Sequence, residues 1–225
     1  DRFSITGIKD SKKKLKNTTF FKDTDFKVLK TDDPKKVNID LNVEEKPTGT
    51  FSVGAGYSTA EQVIVSGSIS EDNFLGTGRK VSLEAALSSY TNEFRLSYLE
   101  PYIFDKNISA GFSLFNFKRY MDTYDYKRTG GNIALIKPLT DDVKGMVKYR
   151  LENVDVTDID ASASTYIKEQ EGTTLTSSML FSLTKNTIDD VMNPTKGVNT
   201  GITLETAGGP FGGDNYFVSI VGFYG

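Results

Sequence analysis

The chain has 225 residues, 27 Lys or Arg against 30 Asp or Glu, a formal net charge of −3, and no His, Cys or Trp. Without His or Cys this stretch holds no Ser-His-Asp or Cys-His relay, no thiolate nucleophile, no disulfide and no His- or Cys-ligated metal centre. The small net charge and the want of a basic stripe interleaved with aromatics argue against nucleic acid as a partner, and a mean hydropathy of −0.35 has the value of a water-soluble protein.

No run approaches the roughly 18 apolar residues of a helical membrane span, and nothing like a signal peptide follows Asp1. Composition divides the chain near residue 46. Residues 1–46 hold 12 Lys or Arg against 9 Asp or Glu, whereas residues 47–225 hold 15 against 21. All 11 Tyr and all but one of the 20 Gly fall in the second part, so Pro47-Thr48-Gly49 reads as a domain joint. The first part opens on a helix with Ile5, Ile8 and Leu15 on one face, Ser4 as N-cap and Lys12 to Lys14 on the wet side. That Lys run reads as a solvated face in preference to an anion site. A strand from Asp23 to Lys30 follows, with Phe26 and Val28 inward, and Asp32-Asp33-Pro34 makes a turn. Val37, Ile39, Leu41 and Val43 then alternate with Asn38, Asp40, Asn42 and Glu44, a strand with one dry face. So few residues make a poor core alone, and they read as the end of an α+β domain.

The second part reads as ten strands, at about 50–58, 62–71, 79–89, 93–102, 107–118, 125–137, 143–155, 173–186, 198–207 and 215–224. Each has an apolar and a polar face. Val81, Leu83, Ala85 and Leu87 oppose Ser82, Glu84, Ala86 and Ser88; Val143, Val147, Tyr149 and Leu151 oppose Lys144, Lys148, Arg150 and Glu152. A soluble sandwich alternates in the same way. Strand length and the aromatics near strand ends (Tyr90, Tyr98, Tyr102, Phe104, Tyr120, Tyr124, Tyr126) favour a membrane barrel, whose tilted strands need roughly 9–11 residues. The low hydropathy is then what alternation produces, since only every second residue meets lipid. Lys144, Lys148 and Arg150 read as lumen charges balanced by Glu152 and others, with an ion- or client-contacting patch as the alternative. The run Gly208-Gly209-Pro210-Phe211-Gly212-Gly213 lacks the Lys and Ser/Thr of a phosphate-binding loop and reads as a flexible loop. Asp189-Asp190 reads as a capping or solvated pair in a turn.

Three connections carry a resemblance. Residues 71–79 read EDNFLGTGR, residues 98–105 read YLEPYIFD, and residues 183–197 read LTKNTIDDVMNPTKG. They resemble the DNFLGTG turn, the EPYxxD strand end and the D-x-NPT-[RK]-G turn of the BamA family of outer-membrane barrel-assembly factors. Phe20-Phe21-Lys22-Asp23 and Val43-Glu44-Glu45-Lys46 are similar to stretches of that family's last POTRA domain and its joint to the barrel. The turn residues concerned are Asn73, Phe74, Gly76, Gly78, Pro101, Asp189, Asn193, Pro194 and Gly197. Gly76 and Gly78 permit positive φ; Pro194 fixes φ and Gly197 releases it.

The resemblance implies a mainly β fold: an antiparallel up-and-down transmembrane β-barrel, about ten strands of a larger, sixteen-stranded one (residues 47–225). The C-terminal part of an α+β POTRA domain precedes it (residues 1–46). The chain is expected to be an internal fragment, since the family's RGF-type loop, last strands and earlier POTRA domains have no counterpart in it. The implied role is non-enzymatic, with no cofactor or metal: assembly and insertion of β-barrel proteins into the bacterial outer membrane. The implied partners are unfolded outer-membrane proteins, outer-membrane lipids and periplasmic assembly lipoproteins. The N-terminal segment and the connections holding Gly76 and Pro194 would face the periplasm, and the connection at about 155–172 the outside. In the family the first strand closes a weak seam, so Phe51, Ser52, Val53, Gly54, Ala55, Gly56 and Tyr57 are expected to form an edge that client strands join through main-chain hydrogen bonds. Gly54 and Gly56 either weaken that strand's packing or merely fit barrel curvature. A related POTRA-barrel exporter or autotransporter-assembly factor, a passive porin, and a soluble all-β binding module remain alternatives.

Overall fold

The computed structural model describes residues 4, 6–8, 11, 12, 15, 20–31, 37–189 and 195–225. Thr6, Gly7, Ile8, Ser11, Lys12 and Leu15 are helical. Ser4 caps them: its hydroxyl oxygen accepts the Gly7 N–H at 3.2 Å, and its carbonyl accepts the Ile8 N–H at 3.1 Å. Ile5, Lys13, Lys14 and the turn Asp32-Asp33-Pro34 lie outside the described residues. Strands β1 (Phe21–Lys30) and β2 (Val37–Glu45) form an antiparallel pair in which Phe26 faces Leu41 and Val28 faces Ile39. The apolar row is the expected one, but it is exposed where alternation predicts a dry face, with Val28 at 46%, Ile39 at 47% and Leu41 at 45%, because no described element packs on it.

The rest is one antiparallel sheet of ten strands: β3 (Gly49–Ser58), β4 (Gln62–Phe74), β5 (Arg79–Ser88), β6 (Thr91–Glu100), β7 (Ser109–Tyr120), β8 (Asp125–Pro138), β9 (Val143–Thr157), β10 (Gly172–Asn186), β11 (Asn199–Ala207) and β12 (Phe217–Tyr224). Every strand pairs only with its sequence neighbours, so the meander is up-and-down and the sheet ends on β3 and β12 without closing. All ten strands lie where alternation puts them, and the departures have local causes. β4 runs on to Phe74 through a register shift after Glu71. β6 stops at Glu100 because Pro101 has no N–H to give the ladder.

Register fixes the faces. One lateral row runs Phe51, Ile69, Leu83, Leu96, Leu114, Gly131, Leu151; the row behind it runs Ser52, Ser68, Glu84, Arg95, Phe115, Gly130, Glu152. The apolar row is exposed, with Phe51 at 74% and Leu83 at 49%, and the buried apolar side chains among the described residues are Ala134, Val156, Ala163 and Ala207. A sandwich would bury such a face against a second sheet; here the band is bare, as lipid-facing strands require. The polar face carries its own charge pairing. Arg150 meets Glu205 and lies 4.0 Å from Glu152, which is 3.9 Å from Arg128, and Arg128 stacks over Phe115 at 5.4 Å. Balanced charge is thus found at Arg150. Tyr126 departs from the expected rim of aromatics: its ring turns to the polar face and meets Phe117 edge-on at 6.3 Å.

Two loops also differ from expectation. The connection at 158–171 contains a one-turn helix, α1 (Thr165–Lys168), capped by Ser164. The glycine-rich run expected to be flexible is tied to β10. The Asp214 N–H donates to the Leu175 carbonyl and the Asp214 carboxylate accepts the Leu175 N–H, both at 2.7 Å. The Gly208 N–H donates to the Ser177 carbonyl at 3.1 Å. β11 pairs only residues 178–186 of β10, which leaves the edge above Ser178 open to this loop.

Candidate functional site at the first sheet strand

β3 bonds on one side only. Phe51, Val53, Ala55 and Tyr57 face Ile69, Gly67, Val65 and Val63 of β4 on the apolar side, and Ser52, Gly54 and Gly56 face Ser68, Ser66 and Ile64 on the polar side. All seven residues from Phe51 to Tyr57 are exposed, and their other edge has no strand beside it among the described residues. The two glycines differ. A Cβ on Gly54 would come within 2.9 Å of the Ser66 hydroxyl, whereas one on Gly56 would meet nothing within 4 Å. Beside them a polar-face trough of about 470 Å³ is lined by Ser52, Ser66, Ser68, Glu84 and Glu93.

The strand is held at both ends. Where it starts, the Thr48 hydroxyl donates to the Glu71 carboxylate, and the Asp72 N–H donates to the Thr48 carbonyl at 3.3 Å. Glu71 also accepts the Asn73 N–H at 2.9 Å, and the Asn73 side-chain oxygen accepts the Gly78 N–H at 2.7 Å. Gly76 and Gly78 both have φ +73°, the conformation their motif anticipates. Phe20 joins the hairpin to this turn: the Lys46 N–H donates to its carbonyl at 3.1 Å, and a Cβ on Gly78 would lie 3.5 Å from its ring. At the far end Ser58 accepts the Glu61 N–H at 3.0 Å, the Ser88 hydroxyl donates to the Glu61 carboxylate at 2.5 Å, and Arg119 lies 3.4 Å from it. The Ser88 hydroxyl, with Arg119 behind it, holds the Glu61 carboxyl below the usual carboxylate range.

The first two family-like turns meet. Arg79, ending EDNFLGTGR, bonds Glu100 of LEPY at 2.5 Å, and the Pro101 carbonyl accepts the Ser109 hydroxyl at 3.0 Å. Arg79, Glu100, Glu71 and Phe20 therefore belong with the site, although a reading of each turn by itself passes over them. The signal was present, since Arg79 and Glu100 bear opposite charges at facing strand ends. In the third turn Asp189 accepts the Thr195 and Lys196 N–H groups, each at 3.0 Å, which makes it a cap. Gly197 has φ +106°. Asp190, Asn193 and Pro194 lie outside the described residues.

Residues 73–223 match the Omp85 superfamily domain. The chain belongs to the Omp85 superfamily. Among Omp85 relatives, it is 33% identical over 221 residues to the outer membrane protein assembly factor BamA of Nitratidesulfovibrio vulgaris, covering 98% of this chain and 28% of that protein. It is 26% identical over 221 residues to BamA of Neorickettsia risticii, covering 97% of this chain and 30% of that one. It thus spans under a third of these curated relatives. The crystal structure of BamA from Haemophilus ducreyi lacking POTRA domains 1–3 superposes with a TM-score of 0.79 at 20% identity, over 97% of this chain and 44% of that one. That likeness shows the fold.

Proposed function

We propose that the chain belongs to a factor that assembles β-barrel proteins and inserts them into the bacterial outer membrane. The edge of β3 from Phe51 to Tyr57 receives the client strand. The observation that carries this reading is the place of β3 as the first strand of the up-and-down sheet, held at its start through Thr48 and Glu71 and at its far end through Ser58 and Glu61, in a chain 33% identical to a BamA. Backbone N–H and C=O groups along such an edge bond any incoming strand whatever its side chains, which suits a broad client range and needs neither cofactor nor fuel. In this reading residues 1–46 are the C-terminal part of a POTRA domain and residues 47–225 the N-terminal part of the barrel. The hairpin end faces the periplasm, where POTRA domains and assembly lipoproteins deliver unfolded clients.

Cysteines at Ser52, Gly54 and Gly56 of the full-length protein test it. Cross-linked adducts with the last strand of a barrel client are expected at all three. Absence of adducts there, while cysteines on the apolar face of β7 do react with clients, rejects the edge. Capture of one soluble partner in place of barrel strands would mark an exporter instead.

A further inference from the structure

The apolar face holds one groove that alternation does not explain. Gly145 of β9 lies between Lys137 of β8 and Leu183 of β10, directly opposite each, so the sheet backbone forms its floor. Leu135, Leu139, Val147, Phe181, Leu183 and Ile202 wall a volume of about 550 Å³, within the roughly 300–1,000 Å³ of ligand pockets. A Cβ on Gly145 would make ordinary contact with Leu139 at 3.4 Å and Leu183 at 3.7 Å. The glycine is therefore not demanded by crowding; what it leaves is room.

Two cations stand toward the hairpin end of the sheet, Lys137 lining the groove and Lys185 beyond it. Lys137 stands beside Gly145, and Lys185 is two residues beyond Leu183 on the same face. Strand spacing of about 4.8 Å and a rise of about 3.3 Å per residue put their Cα atoms roughly 12 Å apart, a gap two Lys side chains bridge around one anion. Both are exposed, and neither has an ion-pair partner among the described residues. At the same end of the sheet Arg79 pairs with Glu100, and Lys80 with Asp72 at 3.4 Å. Asp141 and Asp142 are exposed in the β8–β9 turn beyond the groove. Unpaired ammonium groups at the border of an apolar face run their stems along it and seek an anion at headgroup depth.

We propose that this groove is a specific site for one bilayer phospholipid, with an acyl chain lying over Gly145 and the phosphate held between Lys137 and Lys185. The proposal rests on the membrane placement proposed above, with the hairpin end toward the phospholipid leaflet. The test takes full-length protein reconstituted in vesicles of phosphatidylethanolamine, phosphatidylglycerol and diacylglycerol with matched acyl chains. The protein is then extracted in mild detergent, and native mass spectrometry counts retained lipid. One phospholipid per protein is expected, of either headgroup. Replacing either Lys by Gln should lower retention about tenfold, the worth of one charge-assisted hydrogen bond, and Lys137→Arg should keep it. Gly145→Ile should empty the groove while leaving folding unchanged, checked by heat-modifiable gel mobility. Retention unmoved by the Gln variants or by Gly145→Ile overturns the site. Diacylglycerol held as well as phospholipid overturns the phosphate contact, and preference for lipid A over phospholipid overturns the leaflet. The count is made without clients, so its failure leaves the β3 edge untouched, and failure of the cross-linking leaves this site untouched.

Discussion

Gly197 and Gly56 put one residue type to opposite uses. A Cβ on Gly197 would sit 2.2 Å from the Thr187 carbonyl oxygen, in a backbone at φ +106°, so neither space nor conformation admits a side chain. Gly197→Ala is expected to cost at least about 3 kcal/mol, read as a lowered denaturation midpoint of the full-length protein. Gly56 is extended with empty space around it, and Gly56→Ala should change stability by under about 1 kcal/mol, a small gain included. The turn role of Gly197 was legible because Pro and Gly in that order punctuate turns. The roles of Gly54 and Gly56 were not, because sequence does not say what stands across the strand. Glu61 gives a residue-scale prediction in pH. Its folded pKa lies below the unfolded value, so its contribution is present above about pH 4.3 and is lost as pH falls through the folded pKa. Carboxyl NMR titration should place Glu61 below the usual Glu midpoint, and Ser88→Ala should move it back up.

At the scale of elements, the ten strands were legible because a strand's period of two survives one face being wet and the other apolar. The joint at Pro47 was legible because composition changes there. What failed was long-range. The loop after β11 reads as flexible from its four glycines, yet it completes the edge of β10 through Asp214 and Leu175, 39 residues apart. No local pattern encodes that partner. Asp214→Ala should therefore expose the Leu175 amide and speed its hydrogen exchange about tenfold. The Ser182 amide, deep in the β10 ladder, should keep its protection. Equal protection of Leu175 in both proteins would mean that the Asp214 carboxylate is not what holds the loop. The Arg79–Glu100 bond was missed for the same reason: it joins two turns that each looked sufficient alone.

For the whole molecule the decisive feature is inversion. The apolar side chains form a bare outer band, and the charges gather on the other face, where Arg128, Arg150, Glu152 and Glu205 pair. Such a sheet is stable only with an apolar solvent on one side and a polar interior on the other. Because a one-residue slip would send every side chain to the wrong face, the register across strands is itself testable. Nitroxide labels at Val147, Lys148, Tyr149 and Arg150 of the reconstituted full-length protein should alternate, with oxygen relaxing 147 and 149, and a water-soluble nickel chelate relaxing 148 and 150. Tyr149 faces Met179 and Lys148 faces Leu180, so a label at position 179 should behave as at 149 and one at 180 as at 148. Chelate access at all four positions of β9 would place both faces in water and remove the membrane reading. Alternation with the phase reversed between β9 and β10 would keep the membrane but break the register on which the groove at Gly145 depends.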